Sequence, residues 1–276
     1  NMFQFTLEET KKMAEGYKIV PVCYEILADI RTPIEVLRIL KNVSHHCYML
    51  ESVEEQEKWG RYTFLGFDPT MEITCTNGVM QVKKSCFGKK MEAETEIYTE
   101  QVTHPGTFIR KVLADYTSPK VPSLPSFTGG LVGYFSYDYV KYSEPSLKLD
   151  AEDEEGFKDV DLMLFDKVIV FDNLKQKILV IGNAETENLE QSYKEVQGEI
   201  LKIVELIQTG EPEAVVPGQV PPQIVYAALA HHLPGPLGPG PAPGQPGLSV
   251  DSPHHTQQRQ RHQGPKGPEI PGGLRR

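Results

Sequence analysis

The stretch "CYMLESVEEQEKWGRYTFLGFDPTMEITCTNGVMQVKK", residues 47–84, contains four short apolar runs separated by turn signals. "CYMLES", "RYTFLGF", "MEITCT" and "VMQVKK" are rich in aromatic and β-branched residues, the side chains that pack best on a pleated surface. Asn77-Gly78 joins the last two as a two-residue type I′ hairpin turn. The first two are joined differently, by a charged segment that ends at the chain's one tryptophan, Trp59. Glu51 and Ser52 thus stand at the end of a strand before a long return. A Glu there can cap the loop, and the Ser can bond its own backbone. Equally, the carboxylate can pair with an ammonium and the hydroxyl with a carboxylate, the two groups of a free amino acid.

Working outward, helices alternate irregularly with further strands. Thr6 with Glu9, and Thr32 with Glu35, are capping boxes, and Pro33 takes the favoured first helical position. Gly16 ends the first helix. "KIVPVCYEIL" is extended, with Pro21 marking an edge or a bend. "PGTFIRKVLADY" predicts a helix with Phe108, Val112 and Tyr116 on one face. "TGGLVGYFSYDYV" and "DLMLFDKVIVFD" predict long strands, and "NLKQ" turns the second back into "KILVI". In the last helix Leu189, Tyr193, Val196, Ile200, Ile203 and Ile207 recur at steps of three and four. Without a strict βαβ alternation, the pattern predicts an α+β fold of mainly antiparallel sheet with flanking helices.

The chain's character changes near Pro217. Residues 217–276 hold 13 of the 22 prolines and 10 of the 23 glycines. Such a segment buries too little apolar surface to offset its ordering entropy, so residues 219–276 are expected to be a disordered Pro/Gly/His-rich tail after a domain at 1–218. The histidines at 231, 232, 254 and 255 lack the rigid spacing of metal ligands. The sequence turns compositionally alien around Pro221, as a shifted reading frame would make it.

Composition excludes several classes. The net charge of −10 argues against nucleic-acid or anionic-membrane binding. No run of about 18 apolar residues predicts a membrane span. With no secretory signal visible, and Cys23, Cys47, Cys75 and Cys86 lacking any C-x-x-C pair, a reducing cytoplasmic setting is expected. Gly129, Gly130 and Gly133 precede a strand rather than a helix, which reads as a bulge or close backbone approach and not as a phosphate loop. His45 and His46 would point to opposite strand faces. The acidic run at 150–161 lacks calcium-loop spacing and reads as a solvated loop. No catalytic constellation is evident.

Several segments resemble anthranilate synthase component I. "MLES" (49–52) and "WGRYTFLG" (59–66) match that family's Leu-Leu-Glu-Ser and W-G-R-Y-[ST]-F-[IL]-G wording. "FTGGLVGYFSYDYVKYSEP" (127–145) resembles its G-G-x-x-G-Y-x-x-Y-D segment, "DLMLFDKVIVFDN" (161–173) its next strand pair and "TPIEVLRIL" (32–40) its early helix, all in the family's order. The resemblance covers residues 2–218. It implies half of the family's β-sandwich and an enzyme of tryptophan biosynthesis. The complete family member is a lyase that converts chorismate to anthranilate and pyruvate. Ammonia comes from a glutamine amidotransferase partner, component II, and Mg²⁺ is bound. The resemblance places tryptophan feedback binding at Glu51 and Ser52, with Met49 and Leu50 supporting the pocket wall. The family's chorismate- and Mg²⁺-binding C-terminal region is not matched, so no catalytic residue or metal ligand is assigned, and this chain alone is expected to be inactive. Chorismate would bind only the complete enzyme. The large component of aminodeoxychorismate synthase is the alternative within the family. A non-catalytic tryptophan-binding module and a functionless gene fragment are the others. If half a sandwich is present, strands at 128–140 and 160–182 and the last helix should expose apolar surface.

Overall fold

Local signals build the first elements as expected. In the computed structural model, which describes residues 2–51, 61–84, 96–144, 146–147 and 156–212, both capping boxes close. The Thr6 and Thr32 hydroxyls accept from the amides of Glu9 and Glu35, whose carboxylates accept from the cap amides. Strand β1 (Met2–Phe3) precedes helix α1 (Leu7–Met13), and Gly16 follows with φ +80°. Strand β2 (Ile19–Leu27) leads to helix α2 (Pro33–Lys41). The four runs of the opening stretch become β3 (Cys47–Glu51), β4 (Tyr62–Phe67), β5 (Met71–Thr76) and β6 (Val79–Lys84). Asn77 and Gly78 both have positive φ, 49° and 80°, as the type I′ turn requires. Strand β7 (Glu96–Gln101) and helix α3 (Pro105–Leu113) follow, then β8 (Gly130–Phe135), β9 (Val160–Phe165), β10 (Lys167–Asp172), β11 (Lys177–Glu185) and helix α4 (Leu189–Thr209).

Three boundaries differ from the sequence expectation. The helix from Pro105 tightens into a 3₁₀ turn at Ala114–Tyr116. The strand from Gly130 stops at Phe135, and Tyr137–Tyr142 is a 3₁₀ helix whose residues pack on the five-stranded sheet. The predicted single strand "DLMLFDKVIVFD" is two strands broken at Asp166.

That break matters because β9 and β10 belong to different sheets. One sheet runs β1-β2-β11-β10-β4-β3 and the other β7-β6-β5-β9-β8, with every pairing antiparallel. The chain crosses between them at residues 68–70, where Asp68 has φ +53°, and again at Asp166 alone. Asn183 of β11 holds the second crossing. Its Nδ2 donates to the carbonyls of Asp166 (2.9 Å) and Thr128 (2.8 Å). A Cβ on Gly129 would lie 2.7 Å from that Nδ2, so glycine makes room for the clasp. The close-approach reading of this glycine run therefore stands. Pro21 lies beyond the reach of short β1, which pairs only with Tyr24 and Glu25 of β2. The prolyl nitrogen interrupts no ladder there.

Three apolar clusters result. One lies between the six-stranded sheet and α1, α2 and α4, and contains Leu40, Leu65, Ile178 and Ile200. A second covers the sheet's other face, where Leu124 and Phe127 of the 118–129 segment pack on Phe64, Val168 and Ile181. The third joins the five-stranded sheet to α3 through Ile73, Met80, Ile109 and Leu162. With both faces covered, β10 and β11 are buried, contrary to the expectation that 160–182 would expose apolar surface. Among the described residues of these segments, large apolar side chains are exposed around β8, at Phe135 and Tyr137, at Leu174 in the turn between β10 and β11, and at Leu201 on α4.

All described residues fall within the first of two units, Asn1–Leu229. The second, Ala230–Arg276, and with it the expected tail and its histidines, lies outside the described residues. Among the described residues no helix is long and apolar enough to cross a membrane.

Candidate functional site

Strand β3 is the edge of the six-stranded sheet, and its register with β4 sets which way each residue faces. Met49 pairs with Leu65, and both join the cluster beneath the helices. Tyr48 pairs with Gly66 and Leu50 with Phe64, and these side chains face the opposite cluster. Met49 and Leu50 are therefore both buried but support the strand from opposite sides. Glu51 closes the strand opposite Thr63 and is exposed. By the two-residue period it shares the Met49 face. Its carboxylate makes no ion pair or hydrogen bond among the described residues, so it is available to accept from a ligand's N–H groups. Ser52 and Trp59 lie outside the described residues.

The strand end is held rigidly from beneath. Arg61 sends Nε to Asp172 Oδ1 (2.9 Å) and Nη2 to Oδ2 (2.6 Å), a bidentate pair that ties the start of β4 to the end of β10. Asp172 is 4% exposed and also accepts from the Lys175 amide. Burial pushes its carboxyl up, but the Arg61 and Lys175 bonds outweigh that and hold it below the ordinary range. The guanidinium lies 4.8 Å over the Tyr62 ring. Asn173 Nδ2 reaches Thr63, the residue opposite Glu51. Gly66 has its own reason, since a Cβ there would come 2.1 Å from the Tyr48 ring lying across it. Tyr48 packs edge-on to Phe165 at 4.7 Å, and burial pushes its phenol up. Its hydroxyl is buried without a hydrogen-bond partner among the described residues. In "WGRYTFLG", the arginine, threonine and final glycine thus serve to fix strands β3 and β4.

One polar centre departs from the sequence reading. The acidic run at 150–161 reads as a solvated loop, yet its described residues include Asp159, which is 4% exposed. Asp159 accepts from the Asn77 amide, the Tyr142 hydroxyl and Lys141 Nζ, each at 2.7 Å. Tyr142 in turn accepts from the Gly78 amide at 2.6 Å. Burial pushes the Asp159 carboxyl up, but Lys141, Tyr142 and Asn77 bring it below its usual value. This network clamps the Asn-Gly hairpin to the 3₁₀ segment. Tyr142 and Lys141 carry the network, but their pairing with Asn77 and Gly78 is too long-range to read from spacing.

Among the described residues no group of three or more His, Cys, Asp or Glu side chains could hold a metal ion. His45 and His46 are exposed, and the described cysteines, Cys23, Cys47 and Cys75, are free.

Comparison with known proteins gives the following. The chorismate binding enzyme family matches residues 45–225. Anthranilate synthase component 1 of Acetivibrio thermocellus is 36% identical over 193 residues, covering 70% of this chain and 37% of that protein. The same component of Acinetobacter calcoaceticus is 36% identical over 212 residues, covering 75% and 40%. The crystal structure of anthranilate synthase component I from Streptococcus pneumoniae TIGR4 aligns with a TM-score of 0.42 at 24% identity, over 68% of this chain and 37% of that one. The chain thus spans about two fifths of the length of the curated relatives it matches.

Proposed function

Because the chain belongs to the chorismate binding enzyme family, we propose that it is the N-terminal, feedback-regulatory part of an anthranilate synthase component I. The observation that carries this reading is the 36% identity with two proteins of that name, over 193 and 212 residues. The complete protein would release anthranilate and pyruvate from chorismate. The name "component 1" is consistent with a second component, here a glutamine amidotransferase that delivers ammonia. The part represented by this chain would bind L-tryptophan and not turn chorismate over.

Glu51 supports the binding role. It is an exposed carboxylate, unpaired among the described residues, at the end of an edge strand positioned by the Arg61–Asp172 pair. It would accept hydrogen bonds from the tryptophan ammonium, with Ser52 binding the other polar group. Met49 and Leu50 would keep the strand end in place from either side of the sheet.

Calorimetric titration of L-tryptophan into the chain tests this. Saturable binding is expected, and Glu51→Ala should weaken it roughly ten- to a hundredfold, the loss of a charge-assisted hydrogen bond of about 1.5–3 kcal/mol. Chorismate, ammonia and Mg²⁺ supplied to the chain alone should yield no fluorescent anthranilate. Equal affinity in wild type and Glu51→Ala would remove Glu51 from the site, and turnover by the chain would overturn the regulatory reading.

A further inference from the structure

The first crossing between the sheets carries a second candidate site, at the opposite end of β3 from Glu51. A cleft of about 340 Å³ opens there between the loop before β3, residues 68–72 and strands β6 and β9, at the lower end of the size usual for small-molecule sites. Val43, Pro69, Met71 and Met163 give it apolar walls, and Asp68 lines it among them. The backbone holds Asp68 in place. Its φ of +53° is uncommon for a residue with a side chain, although Asp tolerates it better than most. Its amide donates to Ser44 Oγ at 3.0 Å and to the His46 carbonyl at 3.2 Å, and Ser44 Oγ donates to that same carbonyl. The loop before β3 therefore fixes where this carboxylate stands.

The Asp68 carboxylate has no counterion of its own. It is half-buried and makes no ion pair or hydrogen bond among the described residues. Burial pushes its carboxyl up, while Lys167 opposes the rise and Asp166 adds to it. Lys167 is already shared between Asp166 at 3.2 Å and Glu199 at 3.7 Å. Lys83, which lines the cleft, stands opposite Glu72 in the strand register and lies 3.4 Å from its carboxylate. Lys158 serves Glu72 at 3.6 Å and Asp161 at 3.0 Å. This linked set therefore holds five carboxylates, at 68, 72, 161, 166 and 199, against three ammonium groups. His45 and His46 line the rim and are exposed. An acidic surplus that leaves a half-buried carboxylate beside apolar walls selects a cation with a hydrocarbon body. We propose that this cleft binds a small organic cation, its ammonium on Asp68 and its hydrocarbon part against Val43, Pro69 and Met163.

Butylammonium is the probe, titrated into the full chain at about pH 8, where free imidazole is uncharged. The His45 and His46 ring signals and the Met163 methyl signal report binding by NMR. 1-Butanol, butyrate and ammonium are the comparisons, and butylammonium should bind more tightly than each. Asp68→Asn keeps the side-chain shape and a residue that tolerates positive φ. It should weaken butylammonium about five- to tenfold, less than a fully buried charge would lose, and leave 1-butanol unaffected. Val43→Lys, at an exposed rim position, should weaken butylammonium and not butyrate. 1-Butanol or butyrate binding as tightly as butylammonium would overturn the charge selection, and ammonium doing so would overturn the apolar part. An unchanged butylammonium affinity in Asp68→Asn would overturn the proposal as a whole, as would reporter signals that do not move. If Asp68→Asn does not fold, an unchanged affinity in Val43→Lys has the same consequence.

Discussion

Replacing Arg61 by alanine would leave the Asp172 carboxylate buried, 4% exposed, with one backbone amide in place of three donors. Removing one member of a buried ion pair costs roughly 3–5 kcal/mol, because the remaining charge is unpaired and cut off from water. A quarter of the Arg61 side chain is exposed, so water can enter behind it and the cost should fall near the lower figure, about 3 kcal/mol. With a urea m-value of about 2 kcal/mol per molar, the unfolding midpoint should drop by about 1.5 M. Arg61→Ala combined with Asp172→Asn removes the stranded charge as well, so the double variant should be more stable than the sum of the single losses implies. Sign and pH follow from the carboxyl. It is held below its ordinary 3.8 in the folded state, so the pair contributes fully above that value and is lost as pH falls through the folded pKa. In Arg61→Ala burial acts with little opposition and raises the carboxyl, so that variant takes up its proton earlier and its deficit shrinks toward acid pH. A midpoint shift below about 0.3 M at pH 7, or strict additivity in the double-variant cycle, would refute the reasoning.

Gly133→Ala would put a Cβ 2.0 Å from the Asp161 carbonyl oxygen at φ +156°, and should cost about 2 kcal/mol or more in a thermal melt. Tyr142→Phe removes the donor to Asp159 and the acceptor for the Gly78 amide. It should cost about 1–3 kcal/mol and speed hydrogen exchange at Gly78. Thr32→Ala unmakes a capping box and should cost about 1 kcal/mol in urea. Glu51→Ala should leave stability within about 0.5 kcal/mol of wild type, so that any loss of tryptophan binding is not a folding defect.

What the sequence disclosed was what local chemistry decides. The two capping boxes, the Asn-Gly turn and the apolar stripe of α4 each rest on residues within a few positions of one another, and each appears as read. The break at Asp166 was not legible from the residue pattern, because "DLMLFDKVIVFD" alternates and clusters apolar residues as one buried strand would; only the family resemblance implied a strand pair there. Only the far side chain of Asn183 marks the corner. Burial of β10 and β11 was likewise misjudged, since their second face is covered by Leu124 and Phe127 from a segment with no periodicity. At the candidate site, strand β3 was legible from its apolar run. The roles of Arg61 and Asp159 were not, because their partners stand 111 residues and as many as 82 residues away in the chain.

The single residue between β9 and β10 couples the two sheets like meshed gears. Elsewhere a loop of several residues can absorb an insertion without disturbing the strands it joins. At Asp166 there is no such slack. One residue added there would keep β9 seated but advance β10 by a position, turning Val168 and Val170 toward the helices and Ile169 and Phe171 toward the opposite cluster. Alternatively β10 would stay, and β9 would slip and scramble the Leu162–Leu164 face beneath α3. Chain length at this corner is therefore under tighter constraint than the identity of most surface side chains.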